Sequence, residues 1–208
     1  MPLRRFCFIL YLEKYALPRN DDTSMKIFVV SDTHGSIGRA VEMCEKIRNI
    51  DLVIHCGDYF DDAEKLERFL PVPVTAVKGN CDGYPVHPFD QAIVDTPAGK
   101  ILVMHGHQHG IARDPAALAE KAKSEGCIAV CFGHTHIAGV AEQDGITLIN
   151  PGSLSLPRDD TGGSAAVITA DEHGFYANVV LYDTVCGNSG KKPRGGYLRG
   201  LINYSDGF

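Results

Sequence analysis

Short apolar runs recur along this chain, and several break off abruptly in glycine, aspartate, asparagine or histidine. Lys26–Val30, Leu52–Cys56, Val72–Val77 and Ile128–Phe132 are too short for buried helices and read as buried strands. After the first, Ile37, Ala40, Val41, Cys44 and Ile47 fall on one 3.6-period face, which predicts a helix capped by Ser36. Asp61 and Asp62 are expected to cap a second helix that turns Leu66, Phe69 and Leu70 inward and stops at Pro71. The first half thus reads β-α-β-α-β, the pattern of a parallel sheet covered by helices.

The second half is richer in hairpins. Ile93–Asp95 and Lys100–Met104 flank the turn Pro97-Ala98-Gly99, and Val140–Glu142 and Ile146–Ile149 flank Asp144-Gly145. Ala165–Thr169 and Phe175–Tyr182 form a last pair across another turn. Between the hairpins, Asp114 is a good N-cap with Pro115 at the first helical position, and that helix is expected to run to about Ser124 and end at Gly126. Together these predict an α/β fold in which two mixed sheets pack face to face with helices outside.

Composition narrows the class. The 208 residues are ordinary for one soluble domain, with 44% hydrophobic and 22% charged residues. A net charge of -6 argues against a protein that holds a nucleic-acid backbone. Seven cysteines are an odd number with no CxxC pair, and Cys44, Cys56, Cys127 and Cys131 lie inside apolar runs as small hydrophobes. A reducing, cytoplasmic compartment is the expectation. Phe6–Leu12 is far too short to span a bilayer. The folded domain is expected over residues 25–186, with residues 1–24 as an extension and 187–208 as a Gly-rich, basic tail. The hairpin-rich half offers a sheet edge for a homo-oligomer, a dimer or tetramer.

The chemistry sits where the apolar runs end. Asp32 and His34 follow the first run, and on an extended backbone residues two apart point to the same side. Asp58, Asn80, His105, His134 and His136 follow later runs, mostly with glycine beside them. Turns use Asp and Asn freely but do not require three histidines. Mixed imidazole and carboxylate donors suit Mn, Fe, Zn, Ni or Co better than Ca or Mg, and there are donors enough for two ions. No thiolate cluster for structural zinc occurs.

Taken in order, Ser31-Asp32-Thr33-His34-Gly35, Cys56-Gly57-Asp58, Gly79-Asn80-Cys81-Asp82, His105-Gly106-His107 and Gly133-His134-Thr135-His136 resemble the signatures of the calcineurin-like metallophosphoesterases, in particular the YfcE-like phosphodiesterases. Asn150–Arg158 resembles that subgroup's late signature. The resemblance runs unbroken from about Met25 to Tyr182. It implies a four-layer α/β/β/α sandwich. It also implies that Asp32, His34 and His136 hold one metal, that Asn80, His105 and His134 hold another, and that Asp58 bridges them. Two divalent ions, Mn first with Zn, Fe, Ni or Co as alternatives, would share a hydroxide that attacks a small phosphodiester. Asp58, Asn80, Cys81 and His105 are cast as catalytic.

Many relatives carry histidine where this chain has Cys81, a weaker proton donor, so slow turnover favouring activated leaving groups is expected. Arg158 is the candidate contact to a substrate phosphate. His55, His107 and His109 are candidates around the rim, Lys78 reads as a strand-end surface charge, and Asp82 either orients a neighbour or shapes the turn. Two rival readings are a non-catalytic scaffold like the retromer subunit of this fold, which lost ligands would favour, and a nuclease. No GxxxxGK[ST] motif occurs, which excludes a P-loop protein.

Overall fold

A computed structural model of the chain describes residues 24–83 and 89–187. The expected N-terminal extension (but for residue 24), the tail beyond residue 187 and the side chain of His109 lie outside what it describes. One five-stranded sheet runs in the order β10-β9-β1-β2-β3, where β1 is Met25–Val30, β2 Leu52–His55, β3 Val74–Ala76, β9 Ser164–Asp171 and β10 Gly174–Leu181. The other runs β4-β5-β6-β8-β7, with β4 Gln91–Thr96, β5 Gly99–Met104, β6 Ala129–Cys131, β7 Gly139–Gln143 and β8 Ile146–Asn150. Both sheets are mixed: β1, β2 and β3 are mutually parallel, as are β5, β6 and β8, while the outer pairs are antiparallel.

The central strands β1, β2, β5 and β6 are largely apolar because both their faces are covered, whereas the edge strands β4, β7 and β10 carry polar and exposed positions. In β1, Ile27 and Val29 enter the core between the sheets, with Ile54, Ile101, Val103, Cys131 and Ile149. Their neighbours Phe28 and Val30 face the opposite way, into a core with Ala40, Met43 and Leu66. Those residues come from α1 (Gly38–Ile47) and α2 (Phe60–Phe69). On the far side, Leu102, Val130 and Leu148 pack on Leu118, Ala119 and Ala122 of α3 (Pro115–Ser124). Three cores separate four layers, the α/β/β/α sandwich expected from the sequence. A short α4 (Tyr182–Cys186) occupies the end of the expected last strand.

Local details depart from expectation. α1 begins at Gly38 with no side-chain cap, so Ser36 does not cap it; the Ser36 N–H instead closes a turn onto the Thr33 carbonyl. α2 follows Tyr59, and neither Asp61 nor Asp62 caps it, because the Asp62 carboxylate is drawn away to the β1–α1 loop. Phe69 is 68% exposed rather than inward. Asp114 does cap α3, accepting from the Ala117 N–H at 3.1 Å. No helix among the described residues is long and apolar enough to cross a membrane.

Parallel pairing decides where the chemistry falls. The carboxyl ends of β1, β2 and β3 share one edge of their sheet, and those of β5 and β6 share one edge of theirs. All the candidate donors lie just past those five ends. An edge of this kind is where ligands bind in open α/β sheets.

Candidate metal centre

All seven donor candidates converge. Asp32, His34, Asp58 and His136 each offer an atom within 4.8 Å of the others. His136 Nε2 lies 3.2 Å from Asp32 Oδ1 and 3.3 Å from His34 Nε2. Beside this group, Asn80 Oδ1 lies 3.1 Å from His105 Nε2 and 3.0 Å from His134 Nδ1. Asp58 stands between the two groups, with Oδ1 3.4 Å from His105 Nε2 and Oδ2 3.9 Å from His34 Nε2.

The extended geometry expected at Asp32-Thr33-His34 is not how this is achieved. β1 ends at Val30, and Asp32 and His34 are both left-handed, with φ of 53° and 46°. Asp58, His134 and His136 are left-handed too, at 59°, 68° and 58°. Such conformations cost about 1–3 kcal/mol each for residues other than glycine and persist where the surroundings enforce them. Two glycines help to enforce them by packing rather than by their own flexibility. A Cβ on Gly79 would collide with Asp58 Oδ1, and one on Gly133 with Ser31 Oγ and Asp32 Oδ2.

Hydrogen bonds then fix which ring nitrogens face inward. A carbonyl can only accept, so His105 Nδ1 donates to Cys56 O at 2.9 Å and His136 Nδ1 donates to Leu156 O at 2.7 Å. In each neutral ring Nε2 therefore carries a lone pair, aimed at Asp32 Oδ1, Asn80 Oδ1 or Asp58 Oδ1. Acceptors pointed at acceptors at these distances repel unless a cation, a metal ion or, at His136 beside Asp32, a proton, lies among them. Asp32 Oδ1 is buried and has no hydrogen-bond partner among the described residues. Donor chemistry and orientation both fit divalent metal.

The charges are tuned by the same contacts. Burial alone would raise the Asp32 carboxyl, but contact with His136 and the field of His105 outweigh it and hold it below its ordinary range. His136 is raised by its contact with Asp32, against burial. His134 is lowered by burial and by repulsion from His105.

Around the donors is a supporting layer in which the sequence singled out His55, Asp82 and the late signature, but not the roles of Thr33 and Asp62. The Gly57 N–H donates to His55 Nδ1, so His55 Nε2 carries the proton and donates to Thr33 Oγ1, which donates to Asp62. Asp62 also takes the Gly35 N–H at 2.7 Å and Lys65 Nζ at 2.7 Å. This chain ties the loops after β1 and β2 to α2. Burial is the main reason the His55 imidazole titrates as low as about 4. Asp82 accepts from the N–H groups of Gly79 and Phe60, at 2.8 and 2.6 Å, which shapes the turn carrying Asn80. From the late signature, Ser153 and Ser155 donate to the Asp32 carbonyl, and Asn150 donates to the Gly133 carbonyl. Asp62 is fully buried, but beside the identical Asp61 nothing in the sequence marks it as the buried one of the pair.

Cys81 Sγ donates to Asp58 Oδ2 at 3.2 Å, and its thiol is pushed up to about 11 by burial, with the Asp58 hydrogen bond adding to it. Arg158 is exposed; its backbone N–H donates to the His136 carbonyl. His107 stacks near His105 and His134, with ring centroids 5.3 and 6.4 Å away. Lys78 is not a free surface charge: it is half-buried, its ammonium over the rings of Phe60 and Phe89.

A model of the calcineurin-like phosphoesterase superfamily domain matches residues 25–173. The chain is 36% identical over 162 residues to the probable metallophosphoesterase YsnB of Bacillus subtilis, covering 76% of this chain and 91% of that one. It is 31% identical over 184 residues to the phosphodiesterase YfcE of Escherichia coli K12, covering 76% and 90%. Among solved structures, a conserved Streptococcus pneumoniae TIGR4 protein described as a predicted phosphoesterase superposes with a TM-score of 0.62 at 27% identity, covering 77% and 91%. Zinc-complexed Vps29 of Entamoeba histolytica superposes with a TM-score of 0.58 at 22% identity, covering 76% and 99%, a likeness of fold alone.

Proposed function

The chain belongs to the calcineurin-like phosphoesterase superfamily, and on that footing we propose that it hydrolyses a small phosphodiester with a pair of divalent metal ions. The observation that carries this reading is the convergence of lone pairs from Asp32, His34, Asp58, Asn80, His105, His134 and His136. Asp32, His34 and His136 would hold one ion and Asn80, His105 and His134 the other, with Asp58 shared. Mn is the ion we favour, and Zn, Fe, Ni or Co suit the same donors. When bound, such a pair supplies Lewis acidity, making water acidic enough to act as nucleophile near neutral pH and neutralising charge on phosphoryl oxygens.

The chain's own residues do the rest. Asp58 has one oxygen toward each group, so its charge offsets the repulsion between two cations. The carbonyls of Cys56 and Leu156 hold Nδ1–H of His105 and His136 outward, so each ring turns Nε2 inward, and at His136 a metal would displace the proton that Asp32 favours there. Asn80 turns Oδ1 to the two imidazoles; its exposed Nδ2 gives one N–H to Cys81 Sγ at 3.5 Å and has the other to donate to a phosphoryl oxygen. Cys81 keeps its proton at neutral pH and gives it to Asp58, so it acts as a neutral hydrogen-bond donor and not as a nucleophile. Arg158, exposed next to the loop that fixes His136, is the group we assign to the substrate phosphate.

The phosphodiesterase name of YfcE supports a diester substrate. A complete donor set supports an enzyme over a retromer-type scaffold, and the net charge of -6 weighs against a nuclease. The six cysteines among the described residues are unpaired, which supports a reducing, cytoplasmic setting. The test is hydrolysis of bis-p-nitrophenyl phosphate and p-nitrophenyl phosphate by metal-stripped protein, with and without added Mn²⁺, beside Asp58→Asn. Mn-dependent cleavage of the diester ahead of the monoester, lost in the variant, is expected. Inactivity with every metal would turn the reading to a scaffold.

A further inference from the structure

A cavity of about 370 Å³ opens beside the centre. Its walls include Tyr59, Phe60, Asp61, Lys78, Cys81 and Asp82. It is joined to the donors at two points: Cys81 Sγ is 3.2 Å from Asp58 Oδ2, and the Tyr59 ring meets His34 edge-on at 5.2 Å between centroids. A group attached to a phosphate at the centre can therefore extend into it. The volume falls within the range of small-molecule pockets, roughly 300–1,000 Å³.

We propose that this cavity is a subsite for a planar aromatic substituent of the phosphodiester, a nucleobase-bearing or aryl group with no further phosphate on it; the inference rests on the phosphodiesterase reading above. Three features argue for an aromatic occupant. Tyr59 is held left-handed, at φ 69°, directly after left-handed Asp58, and its ring is 42% exposed. A bulky residue rarely keeps such a backbone, and here Tyr59 lines the cavity. Phe60 forms a second wall, held edge-on to Phe89 at 5.7 Å. Lys78 lies over both phenyl rings, 5.6 and 5.5 Å from their centroids, where its ammonium can donate to a ring heteroatom.

Charge disfavours a phosphorylated occupant. One lysine faces two carboxylates, Asp61 and Asp82, and both Asp82 oxygens are already committed to backbone N–H groups. The walls therefore carry a net single negative charge, and a polyphosphate arm would meet repulsion there. An uncharged ring stacked on Tyr59 and Phe60 meets none.

Binding of phenylphosphonate and methylphosphonate to the full chain with Mn²⁺, followed by calorimetry, tests this. Both probes offer the same anion to the centre and differ only in the ring. Phenylphosphonate should bind about tenfold more tightly. Tyr59→Gly, which accepts a φ of 69° without strain, should cut that preference to about twofold. Phe60→Leu, which keeps apolar volume, should lower it in the same direction. Equal affinities, a preference that survives both substitutions, or failure of both phosphonates to bind would overturn the subsite. A phenyl preference of the expected kind in a protein that cleaves no diester would sink the diesterase reading and leave the subsite standing.

Discussion

The two donor groups share Asp58 but are otherwise unlike. Asp32, His34 and His136 contribute a second carboxylate, and Asp32 and His136 are buried. Asn80, His105 and His134 contribute only a neutral amide and imidazoles, with Asn80 exposed and His134 partly so. The imidazoles differ in the same sense, His136 raised beside Asp32 and His134 lowered by burial and by His105. A cation gains more from two buried carboxylates than from one shared carboxylate and an amide, since Coulombic attraction strengthens as water is excluded. On the proposed reading, the strand ends of two facing sheets would build two sites of unequal affinity, a tight one and a labile one, coupled through Asp58.

The sharpest way to break that comparison is Asp58→Asn, which removes the charge common to both. Diester hydrolysis should fall by at least about 10³-fold, and added Mn²⁺ should not restore it. A loss under tenfold would mean that Asp58 is not shared. The asymmetry itself is read from Asp32→Asn against Asn80→Ala. We expect the first to cost about 10²–10³-fold at all metal concentrations, and the second about 10–100-fold with partial rescue as Mn²⁺ is raised. Rescue of the first and not of the second would reverse the assignment.

Smaller effects are expected further out. His55 is neutral in the fold, titrating at about 4 against 6.5 for the free side chain. Between those values the unfolded chain binds a proton that the folded chain refuses, so the stability of the metal-free protein is greatest above pH 6.5 and falls as pH drops toward 4. In His55→Gln, denaturant melts between pH 4 and 6.5 should show a flatter dependence, and an unchanged slope would remove His55 as its source. Smallest of all, Cys81→Ala should change diester kcat by a few-fold at most, because the thiol gives its proton to Asp58 and holds no other. A loss beyond about tenfold would make Cys81 a participant in leaving-group departure.

Much of this was legible in the sequence where a pattern had only one physical outlet. Apolar runs such as Lys26–Val30 had to be strands buried on both faces, and parallel pairing then gathers their polar ends onto one edge of each sheet. What could not be read is what depends on contact across the chain. The glycines beside the donors looked like turn residues, yet Gly79 and Gly133 are required because the Asp58 and Asp32 carboxylates occupy the space of a side chain. Asp62 read as a helix cap, but its partners lie 27 and 29 residues earlier, at Gly35 and Thr33. Lys78 read as a surface charge because its aromatic partners, Phe60 and Phe89, come from separate segments. The spacing of Asp32 and His34 led to the right pair through the wrong backbone, since left-handed residues rather than an extended strand bring them together.

The most direct test of a centre held jointly by the seven donors is Mn²⁺ titration of metal-stripped protein, with stoichiometry and electron paramagnetic resonance read on the same samples. Two ions per chain, filling in two steps and ending in a spin-coupled spectrum that Asp58→Asn uncouples, is the predicted result. A single ion at saturation, or two ions that never couple, would contradict a centre bridged by Asp58.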